Sequence, residues 1–248
     1  MRLPKYPDKK FNIRHFHYLY ASSALKERTG NVLDVGCGNG EITYTLSKVN
    51  KKLIVQGCDI DTRVRPKFPI VYTDVCKLPF GDSKFDNTLM FDVLEHVRNP
   101  KKAISEVKRV LVNGGMFHLV IPCEADLATI DGWVKLIFKA NLKEKPIGHI
   151  SQFKHKEIID LLQRSGFEIK TVYYSYHFLY QLLSFFYYFY LHLFNSGNYL
   201  TIGKSESGFR SRLTRNVMLL GLVIIYFESK LFKNFKGQTA HITCFLSK

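Results

Sequence analysis

Acidic residues are scarce in this chain, and so are several features that would mark particular protein classes. Its 248 residues hold 21 Asp and Glu against 36 Lys and Arg, a formal net charge of +15, with a single Trp. Five cysteines occur (Cys37, Cys58, Cys76, Cys123 and Cys244), an odd number with no two of them two residues apart. That excludes a complete disulfide framework and offers no zinc-type spacing, so they read as small hydrophobes of a reducing compartment. Met1 to Lys10 carries charge and two prolines but no apolar run, which argues against a secretory leader and for a cytoplasmic protein. Uniform hydrophobicity is missing as well: a mean hydropathy of −0.08 excludes a polytopic membrane protein. No internal repeat is visible.

Aromatics are plentiful. With 46 % hydrophobic residues, 20 Phe and 14 Tyr, the chain is not disordered. Its length suits one domain, or one domain carrying a large insertion. The basic excess fits a nucleic acid, a membrane surface or an anionic substrate, and composition alone does not choose among them.

The first thirty residues hold seven basic residues against two acidic ones, and His15 to Lys26 has helical apolar spacing. From Asn31 strands and helices alternate. Val32 to Val35 reads as a buried strand, Glu41 to Val49 as a helix, and Leu53 to Cys58 and Ile70 to Tyr72 as strands. Asn87 to Phe91 is a fourth strand, Asn99 to Leu111 a helix and Met116 to Ile121 a fifth strand. After a weakly periodic stretch up to Gly148, Lys154 to Ser165 reads as an amphipathic helix and Phe167 to Tyr174 as a strand; His241 to Leu246 is the last. This alternation argues for an α/β fold with a parallel sheet covered on both faces.

Asp34-Val-Gly36-Cys-Gly38-Asn-Gly40 stands between the first strand and its helix. Glycines there permit positive φ and close approach of a ligand to the backbone, and the helix N-terminus offers unpaired N–H groups. Glu41 occupies the position where a dinucleotide fingerprint needs glycine, and a carboxylate two residues before the first glycine repels pyrophosphate. A ligand with a cationic amine suits the turn better. The alternative is a plain tight strand-to-helix turn.

The neighbouring motifs make the signal specific. Strand two ends Gly57-Cys-Asp59-Ile60; strand three leads into Asp74-Val75-Cys-Lys-Leu-Pro-Phe80; strand four leads into Asp92-Val-Leu-Glu95-His96-Val97; and Arg109-Val-Leu precedes Asn113-Gly-Gly115. In order and spacing this set resembles the class I S-adenosylmethionine-dependent methyltransferases, in particular the group around the quinone-pathway and glycan-modifying enzymes. The resemblance covers roughly Asn31 to Tyr174 plus the final strand.

It implies a Rossmann-like seven-stranded sheet with an antiparallel last strand. It also implies that Asp34 faces the ammonium of S-adenosylmethionine, Gly36, Gly38 and Gly40 line its methionine and ribose, and Asp59 holds the ribose hydroxyls. Ile60 lies against the adenine, while Asp74 and the Val75 backbone meet its edge. Residues 1–30 then form a basic helical segment, 31–174 the cofactor-binding core, 175–237 an insertion between the last two strands, and 238–248 the final strand.

For transfer to oxygen, a base or a metal must generate the nucleophile. Asp92, Glu95 and His96 at i, i+3 and i+4 share a face if a helix opens there, and His149 precedes the amphipathic helix. These four are similar to the two-carboxylate, two-histidine divalent-metal site of quinone-pathway and small-RNA methyltransferases, with Asp92 where those carry Glu. Three readings stand side by side. The set holds Mg²⁺ or Zn²⁺; or His96 or His149, with Glu95, acts as base without a metal; or Glu95 and His96 merely cap the helix against the cofactor. His118 reads as a buried strand residue and His155 as the start of a helix.

Thr171 to Gly203 contains no charged residue, and its centre, Phe186 to Phe194, holds six Phe and Tyr in nine residues. Tyr and His within it favour an interfacial position over a bilayer span, and seven basic residues against two acidic ones flank it between Lys204 and Lys236. The expectation is a peripheral membrane contact through 175–237 and a small-molecule or lipid-linked acceptor. The alternatives are burial of the aromatic helix in a homodimer or an enlarged core, an RNA methyltransferase, and a non-catalytic membrane-associated scaffold.

Overall fold

The computed structural model describes residues 15–194 and 221–247. The basic residues before His15, and those between Lys204 and Arg215 with the start of the second apolar run at Val217, lie outside the described residues. Seven strands, β1 (Gly30–Val35), β2 (Leu53–Asp59), β3 (Ile70–Tyr72), β4 (Phe85–Phe91), β5 (Leu111–Pro122), β6 (Phe167–Ser175) and β7 (Thr239–Leu246), form one sheet in the order β3-β2-β1-β4-β5-β7-β6. β7 runs antiparallel to both β5 and β6, whereas the β1, β2, β3, β4 and β5 pairings are parallel. This is the Rossmann-like sheet expected above.

The helices are α1 (His15–Leu25), α2 (Glu41–Val49), α3 (Pro100–Val110), α4 (Ile130–Phe138), α5 (Glu144–Ile147), α6 (His155–Arg164), α7 (Phe178–Phe194) and α8 (221–231). β1 is apolar on both faces from Val32 to Val35, Asp34 apart, because helices cover the sheet on each side. One core cluster joins Leu33, Val35, Met90, Leu119 and Ile121 to Ile104 and Val107 of α3 and Ile158 and Leu162 of α6. A second lies under α1 and α2, around Ala21, Leu25, Val32, Leu46 and Leu89. Strand order reverses on either side of β1, which opens a crevice at the carboxyl ends of β1 and β4.

The Arg109 guanidinium ties down the loop between β3 and β4. It donates to the carbonyls of Phe80 and Leu78 at 2.7 and 2.9 Å and to Asp82 and Glu106 at 2.7 and 2.8 Å. The insertion does not hang free of the core. Tyr176, which leads into α7, and Ile225 and Tyr226 of α8 pack on Phe16 and Tyr20 of α1, closing a third apolar cluster. The α7–α8 insertion is thereby anchored to the helix that precedes the whole sheet.

Two local readings need correction. Asp92, Glu95 and His96 do not open an α-helix: Asp92 sits at φ +52° and Leu94–His96 is a single 3₁₀ turn. The helix begins only at Pro100, where proline sets φ and the Asn99 side chain accepts from the Lys102 N–H. The weakly periodic stretch after Pro122 contains α4, a nine-residue helix with Gly132 in its first turn, too short an apolar run to declare its period; it exposes Leu136, Ile137 and Phe138. No helix among the described residues is long and apolar enough to cross a membrane.

Candidate active site

Three cavities meet at the carboxyl edge of the sheet. The first, about 250 Å³, is lined by Asp34, Gly36, Cys37, Gly38, Gly40, Phe91 and Asp92, with His17 from α1 closing it. Gly36, Gly38 and Gly40 all have positive φ, at +68°, +50° and +65°. A Cβ on Gly36 would lie 2.3 Å from Val93 and one on Gly40 2.3 Å from Phe68, so neither position admits a side chain. Gly40 leads directly into α2, whose N-terminal N–H groups face the turn.

Asp34 is 2 % exposed and its Oδ1 has no hydrogen-bond partner. Burial pushes its carboxyl up to about 7, against the pull of the Thr43 hydroxyl and with a small addition from Asp59. A buried carboxylate aimed into a glycine cradle is incomplete without a cation. The ammonium of S-adenosylmethionine suits this carboxylate chemically, as a phosphate would not.

The second cavity, about 560 Å³, adjoins the first through Gly36 and Asp92 and is lined by Asp59, Ile60, Asp74, Val75, Val93 and Asn99 among others. Asp59 accepts from the Gly38 N–H and from the Asp61 N–H, both at 2.8 Å, which fixes its carboxylate beside the cradle. Asp74 accepts from the Cys76 N–H at 2.8 Å, capping the short turn that Val75 starts. Ile60 is exposed at the rim. All eight residues expected to hold the cofactor therefore lie on the connected walls of these two cavities.

The third cavity, about 360 Å³, shares His17 and Asp92 with the first and adds Glu95, His96, Glu124, Lys143, His149, Tyr176, Tyr180 and Tyr188. One ligand atom each from Glu95, His96 and His149 lies within 4.8 Å of the others. Both oxygens of buried Glu95 lack a hydrogen-bond partner, and burial together with the Asp92 charge holds its carboxyl well above the usual range. Each histidine is turned by its other nitrogen: His96 Nδ1 donates to the Gly148 carbonyl at 2.9 Å and His149 Nδ1 to Glu124 at 3.0 Å. Nε2 of His149 then points toward Glu95, 3.9 Å away. Two imidazoles oriented by second hydrogen bonds and an unpartnered carboxylate suit a divalent cation. Asp92 stands apart from the three, its Oδ2 accepting from His17 Nε2 at 2.8 Å.

Sequence reasoning missed the groups behind His149. Glu124 is 2 % exposed, and burial alone would raise its carboxyl, but Lys143 and His149 outweigh that and hold it at about 2. Lys143 Nζ reaches Glu124 and Asp131, both at 2.8 Å, and its ammonium lies over the Tyr188 ring. The available signal was a carboxylate just past the carboxyl end of a buried strand, where α/β sheets place their sites. His17 had no comparable signal, because only the docking of α1 brings it to Asp92. His118 is buried, as expected, on Thr243; His155 begins α6, as expected, and is also buried, on Asp126 and the Gly237 carbonyl.

This sheet order with these cavities defines a Rossmann-like class I methyltransferase fold. Residues 33–119 match the methyltransferase-domain family. Demethylmenaquinone methyltransferase of Staphylococcus aureus is 30 % identical over 177 residues, spanning 64 % of this chain and 72 % of that protein. A probable S-adenosylmethionine-dependent methyltransferase of Mycolicibacterium smegmatis is 25 % identical, and this chain spans 63 % of its length. A sterol 24-C-methyltransferase of Gibberella zeae is 26 % identical, with 63 % of this chain and 44 % of that protein covered. A Thermotoga maritima structure described as a possible histamine N-methyltransferase superposes with a TM-score of 0.56 at 18 % identity, covering 92 % of this chain and 88 % of that one. The chain belongs to the S-adenosylmethionine-dependent methyltransferase family.

Proposed function

We propose that the protein methylates a hydroxyl of a lipophilic or lipid-linked acceptor at a membrane surface. The observation that carries this reading is the shared wall: His17 and Asp92 line both the glycine-cradle cavity and the tyrosine-walled one. A donor in the first cavity and an acceptor in the second meet across these two side chains. Bound there, S-adenosylmethionine supplies a methyl on positively charged sulfur; a divalent cation on Glu95, His96 and His149 would be the alternative means of acidifying the acceptor hydroxyl, with His149 Nε2 then a ligand and not the base.

The chain's own residues do the rest. Asp34 holds the ammonium, Gly36, Gly38 and Gly40 admit the methionine and ribose, and Asp59 takes the ribose hydroxyls. Ile60, Asp74 and the Val75 backbone receive the adenine. His149 Nε2 accepts the acceptor proton, Glu124 keeping the ring in the tautomer that leaves this nitrogen free. Tyr176, Tyr180 and Tyr188 give the acceptor's apolar body a wall and exclude water.

α7 supports the lipophilic part. It buries Gln181 and Ser184 and exposes Leu183, Phe186, Phe189 and Tyr190, the reverse of a helix meant to face water. Two relatives are named for demethylmenaquinone and for a sterol, both lipophilic acceptors. The test is incubation with radiolabelled S-adenosylmethionine, MgCl₂ and a total lipid extract. Label in an organic-phase product as a methyl ether supports the reading. Label on carbon or nitrogen rejects O-methylation, and label only in added RNA rejects the lipophilic acceptor.

A further inference from the structure

α4 belongs to the core rather than to the insertion, yet it faces solvent with its most hydrophobic side. Trp133, Leu136 and Ile137 fall at i, i+3 and i+4 and are 51 %, 58 % and 62 % exposed, with Phe138 at 71 % beyond them. Its opposite side buries Gly132 and Val134. The helix is held rigidly: the Thr129 hydroxyl caps it by accepting from the Gly132 N–H at 3.0 Å, and the Ile130 N–H donates to Gln181 of α7 at 2.8 Å. Asp131, the acidic residue of its first turn, is consumed by Lys143. The charges left on the exposed surface of α4 and its C-cap are Lys135 and Lys139, and Glu144 is the next exposed acid along the chain.

We infer that Trp133, Leu136, Ile137 and Phe138 of α4 insert into an anionic phospholipid surface, with Lys135 and Lys139 on the headgroups. The inference rests on the membrane reading above and extends it from the insertion to the core. A rigid helix with an exposed Trp and Phe and two lysines matches the chemistry of the interfacial layer, where amphipathic rings and basic side chains concentrate. Charge argues against the other occupants. A second copy would set Lys135 and Lys139 against their own counterparts on a chain of net charge +15. Residues 204–215, with four basic residues and one acidic, would meet the same repulsion.

The chain's one Trp lies on this surface, so its emission reports α4 alone. Full-length protein is mixed with vesicles of phosphatidylcholine, with or without 30 % phosphatidylglycerol, and co-sedimentation, Trp emission and quenching by brominated lipid are recorded. The expected result is a blue shift with quenching on the anionic vesicles only. Ile137→Asp should lower vesicle affinity about tenfold or more, and Lys135→Gln and Lys139→Gln about fivefold each. Co-sedimentation without any change in Trp emission overturns the α4 contact while leaving α7 as the membrane contact. No co-sedimentation overturns both. A Trp already shielded from iodide without vesicles also overturns it, with light scattering then telling a dimer from a chain that covers its own helix.

Discussion

Two carboxylates lie at the carboxyl edge of the same sheet, one near the end of β1 and one just past β5, and the protein treats them in opposite ways. Asp34 is buried with an unpartnered oxygen, and its carboxyl rises to about 7. Glu124 is as deeply buried, yet Lys143 and His149 complete it and hold it at about 2. The first keeps one oxygen without a hydrogen-bond partner, the group we propose for the ligand's ammonium; the second is a finished pair that orients a histidine. Burial alone therefore does not mark a binding carboxylate. The missing partner does.

The largest effect should come from the ring that Glu124 holds. Replacing His149 by Ala is expected to lower kcat by about 10²- to 10⁴-fold, measured with the labelled donor, and to leave S-adenosylmethionine affinity unchanged. Glu124→Gln strands the Lys143 ammonium with Asp131 alone. Losing one member of a buried pair should cost about 3–5 kcal/mol of unfolding free energy, read from urea denaturation. Asp34→Asn should act in the opposite direction on the empty protein. Its carboxyl is raised from 3.8 to about 7, so the wild type loses stability as pH rises between those values and stays penalised above them. Asparagine removes that penalty, and the variant should be more stable than wild type at pH 8, by up to about 4 kcal/mol, but not at pH 3.5. The smallest effect concerns the other side of the acceptor cavity. Phe186→Ser, on the exposed face of α7, should change stability by no more than about 0.5 kcal/mol and leave turnover of a short, water-soluble acceptor unaltered, while slowing turnover of a vesicle-borne one.

The donor half of the site was legible because it is written contiguously. Asp34 to Gly40, Asp59-Ile60 and Asp74-Val75 each sit at or just after the end of a strand, so the sheet alone aligns them, and α2 and β3 fall where the hydrophobic spacing put them. The acceptor half was legible only in part. Its groups come from positions 17, 92–96, 124, 143, 149 and 176–188, gathered by the docking of α1, the loop after β5 and the insertion. The charge pairing of Glu124 with Lys143 spans nineteen positions and leaves no local pattern. Asp92 to His96 misled because their spacing imitates a helix, whereas Asn99 and Pro100 start the helix later. α4 escaped because it is only nine residues long, with Gly132 in its first turn, and so short an apolar run does not declare its period.

The most direct test of the open-carboxylate claim is calorimetric titration of S-adenosylmethionine into the full chain at pH 5.5, 6.5, 7.5 and 8.5. An ionised Asp34 is the form that pairs with the ligand's ammonium, so affinity should rise as pH approaches about 7 and level off above it. The Asp34→Asn variant should bind about 10- to 100-fold more weakly at pH 8.5 and lose most of that pH dependence. Absence of binding by the wild type, or an affinity that Asp34→Asn leaves unchanged at every pH, would contradict the assignment of this cradle to the methyl donor.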